Sequence, residues 1–240
     1  MITGELTKTA PPTAMSKIFE TQDGSHSIYS ESYGVSYHSK YGAIKESMHV
    51  FIQAGLFYRI PGAEQLSVLD IGFGTGLNAL LTLVEAGKRQ LPVYYEAIEA
   101  YPISVEEAAQ LNYPVLLDSN LSDIFLQMHE MPWGESRQIT PYFSFCKKQS
   151  RFESLGYAEA FDVVYFDAFA PNAQPELWEE EILKKMYDAL KEKGVLTTYC
   201  AKGVVKRCLK RLGFAVESLK GPPGKREMTR AVKLLPVAGL

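Results

Sequence analysis

The sequence predicts an α/β fold built on a mostly parallel sheet, and three observations carry this prediction. After residue 57, short apolar runs alternate with amphipathic segments of helical period. Strands that alternate with helices need crossover connections, which give parallel sheets covered on both faces. The chain has 240 residues, of which 46% are hydrophobic, and this is enough to bury one full core.

The residues before this pattern are predicted to form an extension, 1–57, ahead of a main domain, 58–240. Polar and apolar residues alternate over 18–39 with a break at Asp23, which is typical of a hairpin with room for a third strand. Apolar residues at helical spacing over 42–57 predict a helix that leads into the core. The first dozen residues are rich in Thr and Pro and are expected to be frayed.

The main domain is predicted to contain a seven-stranded, mostly parallel sheet. Gly87 and Pro114 are expected to close its first two helices. The predicted strands cover 67–72, 92–99, 142–146, 160–169, 195–200, 214–220 and 228–235, the last two as a hairpin. The predicted helices cover 77–88, 104–112, 122–131, 175–194 and 201–213, and the fourth has acids in its first turns and lysines in its last.

The first of these strands ends in the turn D-I-G-F-G-T-G-L-N, residues 70–78. Glycines let the backbone bend tightly and approach a ligand that a Cβ would obstruct. A dinucleotide fingerprint, G-x-G-x-x-G, would need glycine at position 77, where this chain has leucine. The spacing instead resembles the first motif of class I S-adenosylmethionine-dependent methyltransferases, whose strand-end acid meets the methionine end of the cofactor. The resemblance implies a cofactor site at Asp70, Gly72, Gly74, Gly76 and Asn78.

The second strand ends at Glu99, and this carboxylate is a second, independent indication of a nucleoside. An acid at that point can accept hydrogen bonds from both ribose hydroxyls. Enzymes that use NAD also place an acid there, so Glu99 indicates an adenosine cofactor and the glycine spacing selects which one. The alternative is that Glu99 is a solvated turn residue.

The fourth strand leads into Asp167 and Phe169. In a class I sheet this loop faces the methyl donor, so its polar groups meet the acceptor. Asp167 can hold an acceptor amine by hydrogen bonding and take its proton, or only position it. Phe169 can stack on an acceptor ring or enclose the methyl group. The alternatives are that Asp167 caps the next helix and that Phe169 belongs to the core.

Charge is distributed unevenly along the chain, although the net charge is only -3. The segment from Lys184 to Lys233 has 14 Lys and Arg against 4 acids, whereas the rest has 11 against 24. Either one face meets a polyanion, or these lysines are the solvated faces of C-terminal helices.

Several classes of protein are excluded by composition. No apolar run approaches the roughly 18 to 20 residues that span a bilayer, and the opening residues lack the apolar region of a secretory signal. A cytoplasmic protein without membrane association is expected. The three cysteines are scattered and the four histidines lack ligand spacing, so no metal is expected.

Four motifs in order resemble one family: the glycine turn, A-I-E-A-Y-P at 97–102, F-D-A-F-A-P-N-A-Q-P-E-L-W at 166–178 and G-K-R-E-M at 224–228. It is the methyltransferase domain of the tRNA 5-methylaminomethyl-2-thiouridine biosynthesis protein MnmC, and the resemblance covers roughly 28–232. It implies a Rossmann-like sheet and S-adenosyl-L-methionine-dependent N-methylation of 5-aminomethyl-2-thiouridine at the tRNA wobble position, giving the 5-methylaminomethyl base.

The resemblance also implies partners. The anticodon loop of tRNA would meet the basic residues Lys202, Lys206, Arg207, Lys225 and Arg226, with the wobble base splayed out of its stack. An ordinary polar turn is the alternative for the last two. Bifunctional family members add an FAD-dependent domain; this chain stops at residue 240, so FAD is not expected and another enzyme would supply the amine. The acid that commonly contacts adenine after the third strand is missing; Gln149 can contact adenine there, and the position is left unassigned.

Other functions remain open at this stage. They are a small-molecule amine methyltransferase, an aminopropyltransferase-like enzyme, and a non-catalytic cofactor-binding partner of a tRNA-modifying enzyme. Tyr29, Tyr33 and Tyr37 can cover the cofactor or stack on bases, or they can belong to the core.

Overall fold

The computed structural model describes residues 17–234. It begins with a small antiparallel sheet of three strands, β1 (Lys17–Glu20), β2 (His26–Ser30) and β3 (Val35–Ser36), in that order. The predicted hairpin is confirmed and has its third strand. The Thr- and Pro-rich opening lies outside the described residues.

A continuous helical segment follows the small sheet. It starts as α1 (Ala43–Ser47), widens into π-helical turns over Met48–Leu56 and ends as α2 (Phe57–Arg59). Its ring of Phe51 packs 5.3 Å from that of Tyr165, centroid to centroid. The hydrophobic core is therefore continuous across the boundary between residues 57 and 58, and the division into an extension and a main domain stays a prediction.

The main sheet has eight strands. They are β4 (Leu66–Ile71), β5 (Val93–Glu99), β6 (Ser136–Thr140), β7 (Phe143–Gln149), β8 (Phe161–Phe166), β9 (Leu190–Thr198), β10 (Phe214–Lys220) and β11 (Glu227–Lys233). Their order is β10-β11-β9-β8-β4-β5-β7-β6. The five central strands are parallel, and the outer pairs are antiparallel. The mostly parallel sheet predicted from the sequence is confirmed.

Helices cover both faces of this sheet. They are α3 (Leu77–Arg89), α4 (Val105–Ala108), α5 (Tyr113–Leu117), α6 (Ser122–Glu130), α7 (Glu180–Ala189) and α8 (Gly203–Arg211). Successive residues of a strand face opposite sides. Val68 accordingly packs in a core with α3, whereas Leu69 packs in a second core with α7 and α8. Within residues 17–234, no helix is long and apolar enough to cross a membrane.

The prediction of seven strands was wrong by one. The missed strand, β6, reads S-R-Q-I-T, and most of its residues are exposed. It pairs antiparallel with β7 at the edge of the sheet. A polar edge strand has no apolar alternation to reveal it, and polar residues are what keep such an edge from pairing with other chains.

The predicted long helix over 175–194 was also wrong. A short turn over Pro175–Trp178 precedes α7, which ends at Ala189, and β9 begins at once. Leu190 is fully buried and pairs with Phe161 of β8, which pulls the chain into an extended conformation. The lysines that follow belong to the strand, and Lys191 Nζ lies 2.9 Å from Asp162 Oδ2.

The second predicted helix, over 104–112, closes before Pro114 as predicted, although α4 already ends at Ala108. Pro114 lies in the first turn of the next helix, α5. Proline fits there because the first backbone N–H groups of a helix have no partner within the helix.

Candidate cofactor and acceptor site

A cavity opens at the carboxyl ends of β4, β5 and β8. The chain passes from β4 to β5 on one side and later returns to β8 on the other, so β4 and β8 flank a switch point where α/β proteins bind ligands. The cavity holds about 620 Å³ of space free of atoms. Its lining consists of Tyr33, Tyr37, His38, Gly72, Phe73, Gly74, Thr75, Leu77, Asn78, Glu99, Ala100, Tyr101, Phe152, Asp167, Ala168, Phe169 and Gln174.

The glycine turn forms one wall of the cavity. Gly72 has φ +100° and Gly74 has φ +49°, a region that favours glycine. A Cβ on Gly72 would lie 3.0 Å from the carbonyl oxygen of Asp167, so the two loops can approach closely only with glycine here. Gly76 lies behind the wall, where a Cβ would be 2.6 Å from His129 Nε2. Its role is therefore in packing the turn rather than in lining the cavity.

Glu99 lies at the cavity wall and organises the glycine turn. Its Oε2 accepts a hydrogen bond from the backbone N–H of Gly74 at 2.9 Å, and its Oε1 accepts one from Tyr101 at 2.9 Å. Burial raises the pKa of this carboxyl, although the backbone hydrogen bonds oppose the shift. Each carboxylate oxygen keeps a further lone pair that can accept from a ligand hydroxyl.

Asp167 faces the glycine turn from the end of β8. Asn78 Nδ2 donates to its Oδ2 at 2.9 Å, and its backbone N–H donates to the carbonyl of Ile71 at 3.1 Å. Burial raises the pKa of Asp167 well above its usual value, and the nearby carboxyls of Asp70 and Glu46 raise it further. The structure thus brings Asp167 and Asn78 together with Glu99 and the glycines in one cavity.

Phe169 lies in an aromatic group with the N-terminal extension. Its ring centroid is 4.9 Å from that of Tyr33 and 5.0 Å from that of Tyr37. A hydrogen bond of 2.8 Å from Trp178 Nε1 to the carbonyl of Phe169 fixes the loop that carries this ring. Phe169, Tyr33 and Tyr37 therefore line the cavity, whereas Tyr29 does not and is 38% exposed.

Asp70 is fully buried beneath the glycine turn and does not line the cavity. Tyr95 donates a hydrogen bond of 2.6 Å to its Oδ2, and its Oδ1 has no partner among the described residues. Burial raises the pKa of Asp70 to about 8, although the hydrogen bond of Tyr95 and the nearby Asn78 amide oppose the shift. With this pKa the carboxyl is mostly protonated at neutral pH, and it lies under the turn. The expectation that it meets the methionine end of the cofactor stays a prediction.

Replacing Asp70 by asparagine should change how stability depends on pH. The carboxyl has a pKa near 3.8 when unfolded and about 8 when folded, so the folded state binds the extra proton between these values. The free energy of unfolding of the unmodified protein should therefore fall as pH rises from 4 to 8. The free energy of unfolding of Asp70→Asn, relative to that of the unmodified protein, should increase by roughly 1 kcal/mol for each pH unit over this range. Urea unfolding at pH 5, 6.5 and 8 measures this difference.

Asp162 provides the matched control for this experiment. It is half-buried, and the hydrogen bonds of Lys191 and Ser67 lower its pKa even though burial opposes them. Its carboxyl is ionised in both states between pH 5 and 8, so Asp162→Asn should cost the same free energy throughout. A pH-independent difference for Asp70→Asn as well would show that Asp70 is already charged in the folded protein.

Sequence reasoning missed several lining residues, among them His38 and Phe152. His38 Nε2 is hydrogen-bonded to Thr75 Oγ1 at 2.7 Å, and burial lowers the pKa of His38 to about 4, so the ring is neutral. Phe152, from the loop after β7, presents an apolar ring where the sequence offered Gln149, which is exposed and outside the cavity. Nothing in the sequence around His38 marks it as a cavity residue. Phe152, in contrast, could have been noticed as an aromatic residue that follows the third predicted strand of the main domain.

The five basic residues predicted to contact RNA do not form one patch. Lys202, Lys225 and Arg226 line a second, open cleft with Ala170 and Pro171 of the loop that follows Asp167. Lys206 lies outside it and is paired with Glu227 at 2.8 Å. Arg207 is exposed on α8.

The positive charge of the C-terminal segment is partly matched by acids. Ion pairs form in the described region at seven of its fourteen basic residues: Lys184, Lys191, Lys206, Arg211, Lys225, Arg230 and Lys233. The charge that remains for a polyanion is therefore smaller than the sequence count. Within residues 17–234, Lys202, Arg207 and Arg226 make no ion pair.

Comparison with known proteins points to a methyltransferase. A family model described as S-adenosyl-L-methionine-dependent methyltransferase matches residues 135–234. The tRNA 5-methylaminomethyl-2-thiouridine biosynthesis bifunctional protein MnmC of Burkholderia multivorans is 29% identical over 219 residues, 84% of this chain and 32% of that protein. The protein of the same name from Azoarcus sp. is 30% identical over 216 residues, 84% of this chain and 33% of that protein.

A solved structure extends the likeness over the whole fold. The crystal structure of MNMC2 from Aquifex aeolicus has a TM-score of 0.75 and 26% sequence identity, over 96% of this chain and 74% of that chain. The chain spans about a third of the length of the curated relatives it matches.

The fold and the cavity at its switch point define a class I S-adenosyl-L-methionine-dependent methyltransferase. Within this class its relatives are the MnmC proteins, so the resemblance seen in the sequence is confirmed.

The cavity suits S-adenosyl-L-methionine in the chemistry of its walls. A Cβ would fill the space at the bend of the turn, since one on Gly74 would lie 3.0 Å from the Tyr37 ring. Glu99 has lone pairs for ribose hydroxyls, and Phe152 offers a flat apolar face to a purine. These residues can therefore hold the cofactor, and Asp167 lines the same cavity.

Proposed function

We propose that this chain transfers a methyl group to the amine of 5-aminomethyl-2-thiouridine at the wobble position of tRNA. The observation that carries the proposal is the placement of Asp167 in the cofactor cavity, beside the ring of Phe169 and next to a cleft with unpaired cations. The relatives named for biosynthesis of the 5-methylaminomethyl base support this substrate.

Bound S-adenosyl-L-methionine supplies an electrophilic methyl group on a sulfonium sulfur. The protein supplies position and a proton acceptor. Asp167 accepts a hydrogen bond from the acceptor amine and takes the proton that the amine must lose, while Asn78 keeps the carboxyl facing the cavity. Phe169, Tyr33 and Tyr37 exclude water and give the pyrimidine ring an aromatic surface.

The open cleft gives the RNA a route to this cavity. Chemistry on a base requires that the base leave its stack. Lys202 and Arg226 on the cleft can contact phosphates while the wobble base enters past Phe169. Lys202 Nζ also donates to Asn172 Oδ1, which ties this cation to the loop that carries Asp167.

Nucleoside analysis of tRNA tests the proposal. Transfer RNA from cells that lack the protein should accumulate the 5-aminomethyl base, and adding the purified protein with S-adenosyl-L-methionine should convert it to the 5-methylaminomethyl base. A small-molecule methyltransferase, an aminopropyltransferase or a cofactor-binding partner without activity would leave that purified reaction unchanged. Bovine albumin with the same cofactor serves as the blank.

A further inference from the structure

Lys225 lines the open cleft, but its ammonium is held in an ion pair with a buried carboxylate. Its Nζ is 2.7 Å from Oε1 of Glu46 and 3.7 Å from the centre of the Tyr199 ring. The side chain of Lys225 is 32% exposed and that of Glu46 is only 8% exposed. Because Glu46 is buried, loss of Lys225 would leave an uncompensated buried charge.

Glu46 connects this lysine to the N-terminal wall of the cavity, which consists of Tyr33, Tyr37 and His38. Its second oxygen, Oε2, accepts the backbone N–H of Ser39 at 2.9 Å. Ser39 directly follows His38, whose ring lines the cavity and is hydrogen-bonded to Thr75 of the glycine turn. The ion pair therefore fixes the chain that carries Tyr37 and His38 into the cavity.

Two further contacts dock the β10–β11 loop on the same segment. The ring of Tyr41 lies against Gly224, which has φ +82°, so closely that a Cβ would be 2.0 Å from Cδ2 of the ring. His49 Nε2 donates to the carbonyl of Lys220 at 2.7 Å. The β10–β11 hairpin is thus held to the segment 41–49 at Lys220 and at Gly224.

The ion pair also acts on Asp167. Tyr199, under the Lys225 ammonium, donates a hydrogen bond of 2.8 Å to the carbonyl of Ala168, next to Asp167. Around Asp167, burial is the largest influence and the charges of Asp70 and Glu46 raise its pKa, while the Asn78 hydrogen bond and the Lys225 charge lower it. Glu46 and Lys225 therefore oppose each other at the carboxyl that faces the acceptor.

We infer that Lys225 is a positioning residue, whose ion pair with Glu46 holds the N-terminal wall on the cavity and balances the charge beside Asp167. This assignment rests on the proposed function only for its effect on methyl transfer. It replaces the prediction that Lys225 contacts tRNA phosphates, and it leaves that role to Lys202 and Arg226.

Three variants of the full chain test this inference: Lys225→Met, Glu46→Gln and the double variant. Methionine keeps an unbranched apolar chain over Tyr199 without the charge. In Lys225→Met, hydrogen exchange of the amides of residues 37–42 should become about tenfold faster, because the buried Glu46 charge is left alone. The double variant should return to within about threefold of the unmodified protein, because no lone charge is then buried.

Kinetics on tRNA provide the second readout. Lys225→Met should lower kcat about tenfold and move the rise of kcat to higher pH, while the salt dependence of KM stays the same. The double variant should recover most of kcat. Arg226→Met is the matched control: it should raise KM for tRNA and flatten its salt dependence, with exchange of residues 37–42 unchanged.

Unchanged hydrogen exchange in Lys225→Met would overturn the inference. A weaker salt dependence of KM with unchanged kcat in the same variant would also overturn it, because that result would identify Lys225 as an RNA contact. If the unmodified protein did not methylate tRNA, the proposed function would fail. The exchange measurements would still decide the role of the ion pair.

Discussion

Replacing Asp167 by alanine should lower the rate of methyl transfer by roughly two to four orders of magnitude. The carboxyl is the proton acceptor that we propose; it lines the cavity together with Phe169, and Asn78 donates a hydrogen bond to it. An amine that keeps its proton has no lone pair to attack a methyl group. Affinity for S-adenosyl-L-methionine should stay within about threefold, because Glu99 and the glycine turn hold that ligand. Single-turnover rates and calorimetry measure the two quantities.

The pH profile and a second variant separate the roles of Asp167. Its pKa is raised by burial, so the ionised form that accepts a proton is lost as pH falls, and the rate should rise with pH. Asp167→Asn keeps an oxygen that can accept a hydrogen bond but takes no proton. A rate near that of the unmodified protein in Asp167→Asn would show that the group only positions the amine, and a normal rate in Asp167→Ala would remove it from the acceptor site.

Most of the fold could be predicted because buried parallel strands have nearly continuous apolar sequences. The six residues of β4 and the six of β8 are all buried, and each run is visible in the sequence. The errors lie where local pattern and tertiary pairing disagree. The K-E-K residues after Leu190 continue a helical pattern, but pairing of Leu190 with Phe161 makes them strand.

The site could be predicted where it depends on strand ends, and less well where it depends on side-chain partners. Gly72, Glu99 and Asp167 follow three strands whose ends must meet at one edge of a parallel sheet. Charge counts, in contrast, ignore pairing across the fold. Lys225 and Glu46 are 179 positions apart, and no periodicity in the sequence indicates that one neutralises the other.

Glu99→Ala should weaken binding of S-adenosyl-L-methionine by about ten- to a hundredfold, the second large effect we expect. The variant loses the acceptor for ribose hydroxyls. It also loses the partner of the Gly74 and Tyr101 backbone N–H groups, so the glycine turn is no longer held at the end of β5. At saturating cofactor the rate of transfer should recover to within a few-fold, because Asp167 is untouched. Calorimetric titration with the cofactor measures the loss.

Glu99→Gln is the control that divides these two contributions. A glutamine oxygen can still accept one backbone N–H, so the turn stays partly held, but the amide has one acceptor oxygen in place of two. Its affinity should lie between those of the unmodified protein and Glu99→Ala. Wild-type affinity in both variants would show that Glu99 holds the turn and does not bind the cofactor. Tight binding of NADH in place of S-adenosyl-L-methionine would contradict the cofactor that the glycine spacing indicates.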